Sequence, residues 1–325
     1  MPNPTVGSLH QDTYLTDMSV ATVQSSTKYV ADKVFPIVPV QKQSDKIRIY
    51  SQADFLRDEV QKRAPGSPVE ESGYRLSSTS YIADEWGLAH AIDDQQRANA
   101  DAPLSPEEDA TVFLTQKMLI KREREWVTNF FSTGNIWTGS SDAQDLVSGT
   151  DFTAWSNAAS TPIEDIQARQ VRIEQATGFL PNKLVVSRQG WFDLRNHPDI
   201  VDRVKHTSGE AVTTAVVARL MDLDDVLVAA AVRNSAGEGL ANTGAYIAGD
   251  NALLVHSPAN PGLMQPSAGK TFVWTGLIGS NNGQVIETYR EDRRVSDVVR
   301  IRAAWAQKRI TPALGTLFTN CSTRI

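Results

Sequence analysis

Hydrophobic and polar positions follow two rhythms along this chain, and the longest regular stretch runs from Leu104 to Trp137. Val112 and Phe113, Leu119 and Ile120, and Trp126 and Val127 recur as adjacent pairs seven residues apart, with Phe130 and Phe131 one turn further on. That spacing predicts an apolar stripe on a helix, interrupted at Gln116 and Glu123. Ser105-Pro106-Glu107-Glu108 opens it with a capping hydroxyl, a proline in the first turn and a glutamate that reaches back, and Gly134-Asn135 supplies the stop. At about 1.5 Å per residue the helix would span roughly 45 Å, longer than the common helix of a compact domain. It reads as a spine.

The second rhythm has period two. Ile47 and Ile49 alternate with Lys46, Arg48 and Tyr50, and Ser80 to Ile92 can supply the returning strand of a hairpin. Between them lie about thirty mostly polar residues, including Phe55-Leu56-Arg57-Asp58-Glu59 and the turn-rich Arg63-Ala64-Pro65-Gly66-Ser67-Pro68. A segment so long and so poor in core residues is either a functional projection or disordered. Near the C-terminus, Val285 to Tyr289 and Val298 to Trp305 flank the charged turn Arg290-Glu291-Asp292-Arg293-Arg294. Val299, Ile301, Ala303 and Trp305 alternate with Arg300, Arg302 and Ala304, which predicts one packed and one wet face, with these strands lying beside the spine.

Elsewhere the elements are shorter. Residues 1 to about 27 are polar and read as an arm that gains order against something else. Tyr29 to Val40 begins as a helical turn and becomes extended under Pro36 and Pro39, and Pro39 argues against a central strand. Gly139 to Ala159 is a connector, and Thr161-Pro162-Ile163-Glu164 opens a second helix running to Gly178. Strand at Leu184 to Ser187, helical turns from Gln189 to Lys205, a helix from Glu210 to Met221 and strands at Val226 to Val232, Ala245 to Val255 and Thr271 to Leu277 complete an α+β chain.

Composition narrows the function. With 325 residues, 41% of them hydrophobic, the chain can bury a sizeable core. No apolar run is long enough to cross a bilayer, and Met1-Pro2-Asn3-Pro4 lacks the features of a signal peptide, so a cytoplasmic protein is expected. The single cysteine, Cys321, excludes an internal disulfide. A net charge of -6 provides no global attraction to nucleic acid or anionic membrane.

The chemistry is sparse. His10, His90, His197, His206 and His256 stand in no metal-ligand spacing, so no metal is expected. His90 with Asp93 and Asp94 reads as a strand end entering a polar turn, and His197 before Pro198 as a cap or a packing residue. Gly237-Glu238-Gly239 and Gly279 to Gly283 lack a phosphate-binding register and read as ordinary turns. Lys117, Lys121, Arg122 and Arg124 alternate with Glu123 and Glu125, with Lys121 placed to pair with Glu125, so they read as a solvated helix face. No catalytic residue and no cofactor are expected.

Three blocks carry a resemblance across nearly the whole chain. They are Tyr29 to Val40; Phe55 to Glu59 with Arg63-Ala64-Pro65-Gly66; and Pro181 to Ser187 with Leu194-Arg195-Asn196-His197-Pro198-Asp199-Ile200. In order and spacing the chain resembles the tailed-bacteriophage major capsid proteins. The resemblance implies the Hong Kong 97-type fold: an N-terminal arm (1–43), an extended hairpin loop (44–93), a peripheral domain with the spine helix (94–160), an axial domain (161–275) and closing peripheral strands (276–325). It implies self-assembly as pentamers and hexamers into an icosahedral virion shell enclosing double-stranded DNA, built in the host bacterial cytoplasm and not enzymatic. Implied partners are a scaffolding protein, a portal, a decoration protein and weakly held DNA, with no membrane. The phage-like block begins near Tyr29, so scaffolding is expected as a separate protein. The loop carries only Lys62 away from its base and no recognisable partner for it, so no covalent cross-links are expected. The expected inter-subunit contacts are the mixed-sign loop residues Arg57, Asp58, Glu59 and Arg63 with the turn formers Pro65 and Gly66, and the turn Arg290, Glu291, Asp292, Arg293 and Arg294. The same fold admits an encapsulin-like compartment, and a cytoplasmic Ser-His-Asp hydrolase is the rival of a different class.

Overall fold

A computed structural model of the chain describes residues 24–50, 52–100, 105–132, 137, 145–205, 211–258, 262, 265–278 and 283–323. In chain order the strands are β1 (Ile37–Val40), β2 (Ser44–Tyr50), β3 (Leu76–Ile82), β4 (Asp84–Asp93), β5 (Leu146–Val147), β6 (Lys183–Ser187), β7 (Asp225–Ala229), β8 (Val232–Asn234), β9 (Gly244–Tyr246), β10 (Ala252–Val255), β11 (Gly269–Trp274), β12 (Gln284–Glu291), β13 (Ser296–Arg309) and β14 (Gly315–Thr319). The first five-stranded sheet is built on β13. Its residues Ser296 to Trp305 pair with β4 along one edge. Along the other edge β12 and then β11 follow one another, from Glu291↔Ser296 to Gln284↔Ala303 and from Val273↔Trp305 to Gly269↔Arg309. β1 adds in parallel outside β11, so Pro39 sits on an edge strand, where its missing N–H costs no central ladder bond.

The spine helix is Pro106–Trp126, and its last turn widens into a π-helical segment, Val127–Phe131. The expected stop at Gly134-Asn135 lies outside the described residues. The phase of the helix differs from the stripe read in the sequence. Ala110, Leu114, Met118, Arg122 and Trp126 are buried at spacings of four, whereas Val112 and Phe113 are 46% and 47% exposed. The helix lies between two bodies. Ala110, Leu114 and Met118 pack on Ile92, Val299, Ile301, Ala303 and Trp305 of the sheet. Leu119 and Ile120 turn toward the other core, which also takes Trp126, Val127, Phe130 and Phe131. The later apolar pairs therefore mark one buried face, while the face on the sheet is built from Ala110, Leu114 and Met118, outside the pairs, and the first pair is exposed.

Two of the charged residues read as solvated are part of this packing. Arg122 and Glu123 are both buried, while Arg124 is exposed and Lys121 pairs with Glu125 at 3.2 Å as expected. The Lys121 ammonium lies 3.9 Å from the Trp86 ring centre, Trp86 stacks on Trp305 at 5.8 Å, and the Arg122 guanidinium lies 4.7 Å from the Trp305 ring centre. This layered stack fixes the helix against β4 and β13.

The chain enters this frame through Tyr29–Val40. Phe35 inserts among Trp126, Phe130 and Trp137, with ring centres 6.0, 4.8 and 6.4 Å away. Thr271 Oγ1 and N–H donate to the carbonyls of Phe35 and Pro36 at 3.0 and 3.1 Å. The second five-stranded sheet has the order β5-β14-β10-β6-β7, and its strands are nearly all buried. Helix Pro162–Thr177 packs into the same core and ends on Gly178 with φ +74°, the left-handed cap that favours glycine. Helices Arg188–Asn196, Pro198–Lys205 and Thr214–Leu220 complete this body.

Candidate functional site: the projecting hairpin and the charged turn

β2 and β3 pair from Ser44↔Ile82 to Tyr50↔Leu76 and carry residues 52–75 at their far end. The return strand is thus shorter than the expected Ser80 to Ile92. At Ala83 the chain changes partner, and Asp84–Asp93 runs along β13 instead. The break is held at the base, where the Ala83 N–H donates to Gln43 O at 2.8 Å and Tyr81 stacks on Phe272 at 4.6 Å. A period-two pattern alone does not show where one strand ends and the next begins on a new neighbour.

The far end has its own organisation. Tyr50, Phe55 and Tyr74 meet with ring centres 5.6 to 5.8 Å apart. Beside them the Arg75 guanidinium grips Asp54 bidentately, Nε to Oδ2 at 3.0 Å and Nη2 to Oδ1 at 2.9 Å. Of the expected contact residues, Arg57 pairs with Glu59 at 3.0 Å and reaches Asp54 at 3.8 Å. Ser72 also donates to Glu59, and this bond with that from Arg57 holds the Glu59 carboxyl below its ordinary range. Asp58 and Arg63 enter no ion pair among the described residues. At the tip, Pro65 and Gly66 occupy the centre of a turn closed by Ser67 N–H to Ala64 O at 3.2 Å, and Gly66 has φ +84°. Proline followed by a left-handed glycine is the type II arrangement, which sets the direction of the tip.

Asp54, Tyr74 and Arg75 were not singled out in the sequence, and Tyr50 and Phe55 were not among the expected contacts. The signal available was the recurrence of aromatic residues in an otherwise polar segment. Between hairpin and body runs an open groove of about 820 Å³, lined by Ile49, Phe55 and Tyr74 on one side and Phe179, Pro266 and Leu314 on the other. Phe55 and Leu56, at its edge, are 61% and 60% exposed, and Val60, outside it, is 93% exposed.

The turn Arg290 to Arg294 lies elsewhere, at the end of the β12–β13 ladder, and no hydrogen bond or ion pair joins it to the hairpin tip among the described residues. Arg290 binds Asp94 through two bonds of 2.6 Å and Asp297 at 3.3 Å; Arg97 also binds Asp297. The Arg290 bonds hold the Asp94 carboxyl below its ordinary value. Arg294 reaches Glu291 at 3.6 Å. Arg293 and Asp292 are exposed. Val295, a β-branched residue, closes the turn at φ +49°, an unusual conformation for its type.

Of the histidines, His10 and His206 lie outside the described residues, and His90 and His197 stand as packing and strand-end residues. His90 faces the Phe113 ring at 6.0 Å on the strand before Asp93, whose carboxylate accepts the Gln95 N–H as a helix cap. His197 is buried, with Nε2 3.0 Å from Ser160 Oγ and 3.1 Å from Asn157 O. Its Nδ1 accepts the Asp199 N–H at 3.3 Å, so the proton sits on Nε2. In that tautomer His197 cannot take the Ser160 proton, and the pair is a packing contact, not a nucleophile and base. No cluster of metal-ligating side chains occurs among the described residues, and no described helix is long and apolar enough to cross a membrane.

No family model matches the chain. It is 22% identical over 289 residues to the major capsid protein of Burkholderia phage BcepMu, covering 87% of this chain and 88% of that one. It is 27% identical over 305 residues to the major capsid protein of Pseudomonas phage JBD67, covering 93% and 94%. Among solved structures, a phage-related protein from Bordetella bronchiseptica superposes with a TM-score of 0.69 at 19% identity over 92% of this chain and 93% of that one. The capsid of cyanophage P-SCSP1u gives 0.55 at 12% identity, covering 92% and 90%. The SrpI encapsulin of Synechococcus elongatus gives 0.57 at 11%, covering 94% of both. The fold is therefore that of a Hong Kong 97-type shell subunit. With two phage relatives of the same name matched over nearly their full length, the chain reads as a tailed-phage major capsid protein.

Proposed function

We propose that copies of this chain assemble as pentamers and hexamers into an icosahedral shell around a double-stranded DNA genome, in the cytoplasm of the host bacterium. The observation that carries this is the Ser44–Ile82 hairpin, which projects apolar side chains that its own subunit leaves uncovered. A neighbouring copy is the surface that covers them. Magnitudes decide which residues matter. Burying a phenylalanine or leucine contributes about 1.5–3 kcal/mol, an exposed ion pair about 0–1 kcal/mol. Phe55, Leu56 and Val60 thus supply the attraction, while Arg57, Asp58, Glu59 and Arg63 set its register. The turn Arg290 to Arg294 is a second contact, shaped in advance by its pairs to Asp94 and Asp297.

In this reading the arm is 1–43, the loop 44–93, the peripheral domain 94–160 with 276–325, and the axial domain 161–275. A separate scaffolding protein, a portal and a decoration protein complete the particle. Contacts with the packaged DNA are weak and non-specific in this reading, and the net charge of -6 supplies no global attraction to strengthen them. The chain performs no catalysis. An encapsulin-like compartment is the second reading, supported by the encapsulin neighbour. Particle contents separate the two, since the first predicts nucleic acid in infected-cell particles and the second a fixed enzyme cargo.

The test is substitution on the hairpin. Phe55→Ser with Leu56→Ser should leave the subunit folded, because both side chains are exposed, and sharply reduce closed particles. Unchanged particle yield in electron microscopy, with unchanged circular dichroism, would remove the hairpin from the assembly contact.

A further inference from the structure

Glu123 breaks the apolar pattern of the spine helix, yet it is 1% exposed. Its carboxylate accepts the Val30 N–H at 3.2 and 3.1 Å and the Ala31 N–H at 2.9 Å. These amides open the helical turn Ala31–Val34 of the arm, and a helix leaves its first N–H groups without partners of its own. A side chain from the spine thus caps the arm at the point where the arm seats on it.

The groups facing this carboxylate come from both elements. On the arm they are Tyr29, Asp32 and Lys33; on the spine, Gln116 and Arg122. Gln116 Nε2 donates to the Tyr29 hydroxyl at 2.6 Å. Arg122 Nη1 is bound to Asp32 Oδ2 at 3.0 Å, and its guanidinium lies over the Trp305 ring. Lys33 Nζ is turned to Thr27 O at 3.1 Å, and Lys183 Nζ comes in from β6 to Lys33 O at 2.8 Å. The nearby cations have other partners, and no ion pair to Glu123 occurs among the described residues. Its hydrogen bonds come from two backbone amides, and Lys33 acts on its charge only through space.

We propose that Glu123 makes seating of the N-terminal arm on the spine helix a proton-linked latch, in which each seated arm takes up one proton. Burial pushes the seated carboxyl up to about 7, against the opposing bonds from Ala31 and Val30; Asp32 pushes it the same way and Lys33 opposes. With the arm lifted, water reaches the carboxyl and it returns toward its ordinary value of 4.5. Between those limits the seated state binds more protons than the lifted one. Seating is therefore strongest at the acid end, weakens as pH rises through about 7, and is level above that.

The experiment is amide hydrogen exchange of the segment spanning Tyr29 to Phe35 in the full-length protein, from pH 5 to 8.5, corrected for intrinsic exchange. The expected result is a loss of protection of up to about tenfold per pH unit between about pH 5 and 7, and a plateau above. Glu123→Gln keeps the size and a carbonyl acceptor without the titration, so its profile should be flat. Asp32→Asn removes a charge that raises the carboxyl and should move the fall to lower pH. A flat wild-type profile, or a Glu123→Gln profile with the wild-type slope, would overturn the latch. If Glu123→Gln does not fold, the wild-type profile and the direction of the Asp32→Asn shift decide.

Discussion

A single side chain, Phe35, shows how tightly the arm is keyed into the body. It fills the space above Gly269, where a Cβ would stand 2.3 Å from the Phe35 ring. Gly269→Ala must move that ring or lift β11 and should destabilise the subunit by about 1–3 kcal/mol, read as a lower midpoint in chemical denaturation. Arg290 gives a prediction with a pH signature. Its bonds keep Asp94 below the ordinary carboxylate range, so their stabilisation is present above the unfolded carboxyl value and is lost as pH falls through the lowered one. Arg290→Ala should melt below wild type near neutral pH, and the gap should close in acid. Thermal melts across that range check it. At this scale the sequence was least informative. Glu123 looked like an interruption and Arg122 like a solvated charge, because hydropathy cannot register a buried carboxylate whose partners are amides of a distant segment.

The elements were more legible than their contacts. Start signals at Ser105-Pro106 and Thr161-Pro162 located both long helices, although neither hydroxyl makes the expected cap hydrogen bond, and alternation located β12 and β13. β14 escaped because Gly315–Thr319 is buried on both faces and has no alternation to read. The return of the hairpin was overextended because β3 and β4 are separated only by Ala83. The spine helix separates the two readings of its face by experiment. Leu114→Ala and Met118→Ala should each cost about 2–5 kcal/mol, being wedged against Val299 and Ile301, whereas Val112→Ala should stay within about 0.5 kcal/mol. Denaturation midpoints of the three variants decide it, and a large loss at Val112 would restore the phase drawn from the sequence.

For the whole molecule, the spine helix, the β2–β3 hairpin and the closing strands β12 and β13 were visible because each leaves a local pattern, residues 1–23 of the expected arm lie outside the described residues, and what the sequence lacked was any internal reason for a hairpin with so little cover. Assembly supplies that reason. Small contacts repeated in every subunit of a closed shell add up over the particle, so assembly should be cooperative. Lys62 has no identified acceptor, and subunits from boiled particles should run as a single band on a denaturing gel. The most direct measurement is electron microscopy of the full chain coexpressed with the proposed scaffolding and portal proteins. Closed icosahedral shells, in which the Ser44–Ile82 hairpin of one subunit lies across its neighbour, are the predicted result; a chain that remains monomeric under those conditions would contradict the account.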